Sequence, residues 1–127
     1  MNKKWIKTKR ATRWKEGENY IELWYHQTPV VRVETTERGD IITLNSGGYK
    51  TVTTKARIND FFRYSSKYNF MVYQKDYTWY VSTSHLHKLM NGFKGPQEWT
   101  GKTFVIDMRE PILTDGTTHE GLIKTVN

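Results

Sequence analysis

Apolar and polar residues alternate along several short segments of the chain, which is the period of half-buried β-strands. The first segment covers residues 20–26, and a β-branched, extended segment follows at residues 30–34. Residues 37–40 have the composition of a hairpin turn, and residues 41–45 form the returning strand. These segments predict an antiparallel meander.

A second hairpin is predicted where residues 70–75 and 78–83 alternate on either side of an Asp76-Tyr77 turn. One face of this hairpin is expected to enter the core through Phe70, Val72, Trp79 and Val81. The opposite face then carries Met71, Tyr73 and Tyr80. Residues 103–108 predict a last strand, and the polar residues that follow form a tail or extend a sheet edge.

A helical pattern separates the two strand regions, after the glycines at positions 47 and 48. Apolar residues at helical spacing predict a helix over residues 55–66, with Thr53 or Thr54 as its N-cap. The same spacing after Ser84 predicts a second short helix. The predicted fold class is α+β. It is a single small domain whose antiparallel sheet is built as two hairpins or a meander, with one or two short helices and a basic N-terminal arm.

The net charge of +7 is a property of the N-terminal segment. The first fifteen residues contain no acid and seven cations: Lys3, Lys4, Lys7, Lys9, Arg10, Arg13 and Lys15. The whole chain has 20 basic and 13 acidic residues, so the remaining 112 residues carry 13 of each and sum to zero. We therefore divide the chain into a basic arm (1–18), an α+β domain (19–113) and a polar tail (114–127).

Composition argues against several classes of protein. With no cysteine, the chain has neither disulfides nor thiolate metal sites, which suits a cytosolic protein. No apolar run approaches the ~20 residues of a membrane span, and no apolar segment follows the basic start as in a signal peptide. His85 and His87 lie on different faces of the predicted second helix. We expect no metal site, no cofactor and no catalytic residue.

The start of the first predicted helix is a candidate phosphate site. Lys50 precedes the helix, and Lys55 and Arg57 lie in its first turn, where the positive end of the helix dipole disfavours cations. A bound phosphate would relieve this conflict, and Thr53 and Thr54 would add hydroxyl donors. The spacing is not that of a Walker loop. The alternative is an ordinary glycine turn and threonine cap with solvated lysines.

The basic arm is a second candidate, because its seven cations could neutralise several phosphates of a nucleic acid. Trp5 and Trp14 either pin the arm to the domain or stack on bases. Tyr73 and Tyr80 form a further candidate stacking surface, unless the arm or a helix covers them. The alternatives for the arm are a solubility tail and a contact with an acidic protein.

Two segments carry a resemblance to a known family: YHQTPVV at residues 25–31 and ITLNSGGYKTVTTKARIN at residues 42–59. With VYQ at 72–74 and WYV at 79–81, they resemble small uncharacterised proteins of tailed bacteriophages. The resemblance spans roughly residues 20–83 and leaves out the arm and the tail. It implies a protein that acts in the host cytoplasm on nucleic acid or on host defence proteins, and it implies no catalytic residues.

These features favour a non-enzymatic nucleic-acid-binding protein that grips phosphates with the arm and the helix N-terminus. One alternative is an inhibitor of a host defence protein, in which the arm docks on an acidic groove. Another is a nucleotide-binding or small hydrolytic protein that uses the glycine–threonine loop.

Overall fold

Two antiparallel sheets and one α-helix form the part of the chain that the computed structural model describes, residues 3–83, 96–109 and 123–125. A 3-10 helix, Lys4–Thr8, comes first, and α1 (Val52–Ser65) follows the fourth strand. The strands in chain order are β1 (Thr12–Glu16), β2 (Tyr20–Tyr25), β3 (Thr28–Thr36), β4 (Gly39–Leu44), β5 (Phe70–Lys75), β6 (Thr78–Thr83), β7 (Gln97–Trp99), β8 (Phe104–Asp107) and β9 (Ile123–Thr125). The larger sheet has the order β1-β2-β3-β4-β8-β9, and the smaller has the order β5-β6-β7. The predicted α+β class is confirmed.

The two sheets and α1 share one apolar core. Antiparallel pairing sets Val31 opposite Leu44 and Val33 opposite Ile42, so alternate residues of the larger sheet face inward. The prediction for the second hairpin is confirmed, because the four side chains expected in the core are buried there: Phe70, Val72, Trp79 and Val81. Its turn lies at residues 76–77, as predicted.

Helix α1 begins three residues before its predicted start, and the predicted N-cap is wrong. The cap is Thr51, whose extended backbone (φ −115°, ψ 163°) lets its hydroxyl accept a hydrogen bond from the Thr54 amide at 3.2 Å. Thr53 and Thr54 already lie inside the helix, and Thr54 is fully buried. The predicted second helix lies outside the described residues.

The segment that the sequence set apart as a basic arm contains the 3-10 helix and strand β1, which pairs with β2 at the edge of the larger sheet. The Trp5 indole N–H donates a hydrogen bond to the Ser65 hydroxyl at 2.8 Å. Trp14 stacks on Phe61 of the core with ring centroids 5.8 Å apart. Of the two roles open to these tryptophans, the structure therefore shows the one that pins the segment to the domain. At the other terminus, β9 extends the larger sheet by pairing with β8.

Asn59 of α1 completes the outer edge of β5. Its side-chain amide donates to the Val72 carbonyl at 2.9 Å, and its side-chain carbonyl accepts from the Val72 amide at 2.7 Å. The side chain thus takes the place that a neighbouring strand would occupy, and it joins the helix to the smaller sheet.

Replacing Asn59 with alanine should destabilise the protein by about 1–3 kcal/mol, because both backbone groups of Val72 then lose their partner next to the core. The matched control is Asn19→Ala, since the Asn19 side chain is exposed and it is the Asn19 backbone carbonyl that accepts a hydrogen bond from the Thr35 amide. Urea unfolding measures both. Equal unfolding midpoints for the two variants would contradict the edge-completing role of Asn59.

Candidate nucleic-acid interface

Strand register gathers several loops at one end of the larger sheet. Thr12 at the start of β1 pairs with Tyr25 at the end of β2, and Leu44 at the end of β4 pairs with Phe104 at the start of β8. The segment before β1, the β2–β3 turn, the β4–α1 loop and the β7–β8 loop therefore lie at the same end.

The turn between β5 and β6 joins this end as well, since Lys55 of α1 donates a hydrogen bond to the Gln74 side chain at 3.3 Å. We call the whole surface the basic end and define it as residues 9–12, 26–27, 45–55, 75–77 and 100–103.

The basic end holds six cations and one acid. The acid is Asp76, and the cations are Lys9, Arg10, Lys50, Lys55, Lys75 and Lys102. The opposite end of the larger sheet comprises residues 16–19, 35–40, 66–68 and 107–109 together with Lys3, which pairs with Glu16, and it has five acids and four cations. The described chain is therefore polarised from one end of its sheet to the other, with net charges of +5 and −1 at the two ends.

Exposed aromatic side chains accompany these cations. Tyr49 is 65% exposed, and Tyr77, at the tip of the β5–β6 hairpin, is 91% exposed. Val52 between them in sequence is 78% exposed. Neither tyrosine was identified from the sequence, because nothing in the local pattern separates an aromatic residue of a loop from one that packs inward.

Lys50 and Lys55 both lie against Trp79. Their ammonium nitrogens are 5.4 Å and 5.6 Å from the centroid of its indole ring. A cation on an indole ring is attracted by the negative charge of the ring face. This contact gives a structural reason for two lysines at the positive end of a helix, which the sequence left as an unresolved conflict.

Arg57 and the two threonines have other environments. The Arg57 guanidinium donates to the Thr12 hydroxyl at 3.0 Å and lies 3.8 Å from the Asp60 carboxylate, so it ties α1 to β1. Thr54 is fully buried, with its hydroxyl 3.1 Å from that of Thr51, and a ligand cannot reach it. Thr53 is half-buried in the first turn of the helix.

A cleft of about 450 Å³ is formed by the β4–α1 loop and the β7–β8 loop. It is lined by Asn45, Ser46, Gly48, Lys50, Thr100, Gly101, Lys102 and Thr103. Two of these residues are lysines, and none of the lining residues is a carboxylate. The β4–α1 side of the cleft is the glycine-containing stretch that the sequence singled out, whereas Lys102 and the β7–β8 loop were not predicted to belong to the site.

The seven N-terminal cations are distributed over the molecule. Lys9 and Arg10 lie at the basic end, and Lys4 and Lys7 belong to the 3-10 helix. Lys3 forms an ion pair with Glu16 at 3.0 Å at the opposite end, and the hydrogen bond from Lys3 lowers the pKa of Glu16.

Arg13 and Lys15 lie on the outer face of β1, over the indole ring of Trp24 at 4.7 Å and 4.9 Å. Trp24, which the sequence did not mark as part of a site, thus holds two cations of the edge strand. Neither cation is paired with a carboxylate within the described residues.

The four predicted stacking residues are occupied by contacts within the fold. Trp5 lies against Tyr64, with ring centroids 6.1 Å apart, and Trp14 rests on the core as described above. Tyr73 and Tyr80 stack on each other at 5.5 Å on the outer face of the smaller sheet. Neither tyrosine belongs to the basic end as defined above.

A larger groove, of about 540 Å³, opens at the opposite end of the larger sheet. Its buried Asp40 accepts a hydrogen bond from the Tyr68 hydroxyl at 2.5 Å and lies 3.7 Å from Lys67. Burial and the neighbouring Asp40 raise the pKa of Tyr68 well above its usual value. With Glu16 and Glu18 also lining it, this groove does not suit an anionic ligand.

Fold and surface together define a small α+β protein with a basic, aromatic loop end. The chain belongs to the Kyanoviridae Gp96 protein family, a family of phage proteins, whose model matches residues 1–108. The match includes the basic N-terminal segment, which the resemblance seen in the sequence left out. No curated protein and no solved structure shows a significant match. Within the described residues, no helix is long and apolar enough to cross a membrane.

Charge reversal at Lys55 and at Arg57, the two cations near the start of α1, should have different effects on stability. Lys55→Glu should leave stability unchanged or raise it by about 0.3–1 kcal/mol, because an acid suits the helix N-terminus while a cation–π contact is lost. Arg57→Glu should destabilise the protein, since it removes the bond to Thr12 and places a second carboxylate beside Asp60. Urea unfolding of both variants checks this, and an Arg57→Glu variant as stable as the wild type would contradict the structural role of Arg57.

Proposed function

We propose that the protein binds nucleic acid through its basic end. The observation that carries the proposal is the combination, on one end of the sheet, of six cations against a single acid with two exposed tyrosines. Single-strand binding surfaces have two components: cations that follow the phosphate backbone, and aromatic rings that stack on bases.

The exposed tyrosines favour a single strand over a duplex. Tyr77 projects from a hairpin tip, where it has little of its own fold to pack against. A base must leave its stack to reach such a ring, and that costs least in a strand that is already unpaired. Duplexes offer this surface only their phosphates, so they should bind more weakly.

The edge strand extends the surface along the side of the molecule. Arg13 is the second residue of β1 and lies opposite Trp24 of β2. Because Arg13 and Lys15 rest on that indole ring, their side chains are partly ordered before any phosphate arrives. The basic N-terminal segment thus contributes to the proposed interface as a folded strand, and the phage family supplies a context in which nucleic acid is abundant.

Removing two cations from the basic end should weaken binding and reduce its salt dependence. Arg10→Gln combined with Lys75→Gln should lower the slope of log K against log salt concentration by about 1.4, at roughly 0.7 per phosphate contact of a single strand. Fluorescence anisotropy with a labelled oligothymidylate between about 50 and 200 mM salt measures the slope.

The matched control is Arg63→Gln combined with Lys67→Gln, which removes the same charge from exposed positions away from the basic end. This variant should keep the wild-type slope. Equal losses in the two double variants would mean that only net charge matters, and the proposed location would be wrong. An absence of salt-dependent binding by the wild type would refute the function itself.

Replacing Tyr49 or Tyr77 should weaken single-strand binding by about 1–3 kcal/mol each, which is the usual contribution of one base stacked on an aromatic ring. Asparagine is the substitution of choice, because it tolerates the positive φ of 67° at position 77. Tyr64→Asn is the control, since Tyr64 is 44% exposed on α1 outside the basic end. Unchanged affinity in both tyrosine variants would exclude stacking at this surface.

A further inference from the structure

The cleft between the β4–α1 and β7–β8 loops differs from the remainder of the basic end because it is concave. Its volume of about 450 Å³ lies within the range of small-ligand sites. Lys50 and Lys102 line it together with Thr100, Thr103 and Asn45, whose side-chain amide donates to the Thr103 hydroxyl at 3.5 Å. Ammonium, hydroxyl and amide groups together form a donor set for a phosphate group.

Two lysines line this cleft, no carboxylate lines it, and a third lysine, Lys55, shares the Trp79 ring with Lys50. The ammonium groups of Lys50 and Lys55 are within 5.4 Å and 5.6 Å of the same ring centroid, hence no more than about 11 Å apart. Lys55 donates to the neutral amide of Gln74, and within the described residues neither lysine is paired with an acid. The surface around Lys50 is therefore locally positive, and an anion with two negative charges would be attracted to it.

The walls of the cleft are fixed before any ligand binds. Ser46, only 2% exposed, uses both its amide and its hydroxyl to donate to the Gly101 carbonyl, which locks the two loops together. Gly101 has a φ of +96°, and a Cβ there would lie 2.8 Å from the side-chain stem of Lys50. The absence of a side chain at Gly101 therefore lets the Lys50 stem lie along the loop.

We propose that this cleft binds a phosphomonoester, the terminal phosphate of a nucleic-acid strand or of a mononucleotide. A phosphomonoester carries a charge of about −1.5 to −2 near pH 7, whereas an internal phosphodiester carries one charge and continues as chain on both sides. A lining with two lysines and no carboxylate matches the doubly charged phosphomonoester better than the phosphodiester. Where the phosphate belongs to a strand end, this inference rests on the proposed function. It then adds that the protein prefers strands with a terminal phosphate.

The test compares one oligothymidylate, labelled at its 3′ end, with and without a 5′-phosphate. Wild-type protein should bind the phosphorylated form about tenfold more tightly, which corresponds to about 1.4 kcal/mol. Lys102→Gln should lose this preference while still binding the 5′-hydroxyl form. The control is Lys75→Gln, which removes the same charge at the basic end outside the cleft and should keep the preference.

The outcomes separate this inference from the proposed function. Equal binding of the two oligonucleotides by the wild type overturns the phosphomonoester site and leaves nucleic-acid binding intact. A preference that survives in Lys102→Gln places the terminal phosphate elsewhere and also overturns the inference. Competition with adenosine monophosphate distinguishes the two sources of the phosphate. If the mononucleotide abolishes the preference for the 5′-phosphorylated oligonucleotide and leaves binding of the 5′-hydroxyl form unchanged, the result supports a strand end. Tight binding of the mononucleotide alone, lost in Lys102→Gln, supports a free nucleotide in the same cleft.

Discussion

The packing of Trp79 against Trp99 is the contact on which much of this structure depends. Both indoles are almost fully buried, with ring centroids 5.4 Å apart, and Trp99 also packs against Phe104 of the larger sheet. The contact between Trp99 and Phe104 thereby joins the smaller sheet to the larger one across the core. The Trp99 indole N–H donates to the Lys102 carbonyl, so the same residue holds the loop that lines the cleft. Because Lys50 and Lys55 lie against Trp79, the core and the candidate interface share their central side chains.

The difference in charge between the two ends of the molecule follows from the positions of the loops in an antiparallel meander. Successive turns fall at alternate ends of the sheet, so residues 17–19 and 37–38 lie at one end and residues 26–27 and 45–50 at the other. Glutamates occupy the first pair of turns, whereas the second pair has no acid. A charge pattern that alternates along the chain therefore becomes segregated in space, without any long charged run in the sequence beyond the N-terminal segment.

Much of the fold was predictable where side-chain periodicity is strong. The hairpin of β5 and β6 shows clear alternation, and its inward and outward faces were assigned correctly. Strand β1 was missed because Trp14 is the one large apolar residue in it, between Arg13 and Lys15. The N-cap was misplaced because Thr51, Thr53 and Thr54 have the same intrinsic preference for that position. The extended backbone at Thr51, followed by helical residues from Val52 onward, is what makes Thr51 the cap, and the sequence does not reveal that geometry.

The candidate site was predictable in part, for a physical reason that its residues illustrate. Cations at a helix N-terminus are disfavoured by the helix dipole. This conflict is visible in the sequence, so Lys50 and Lys55 could be identified as candidate site residues. The group that compensates it was not visible, because Trp79 lies 29 residues from Lys50 and 24 from Lys55 in the sequence. Arg57 presents the same conflict in the sequence, yet it faces β1 and has a structural partner there. A local electrostatic conflict therefore marks where compensation must exist, and only the fold tells whether an aromatic ring, a carboxylate or a ligand supplies it.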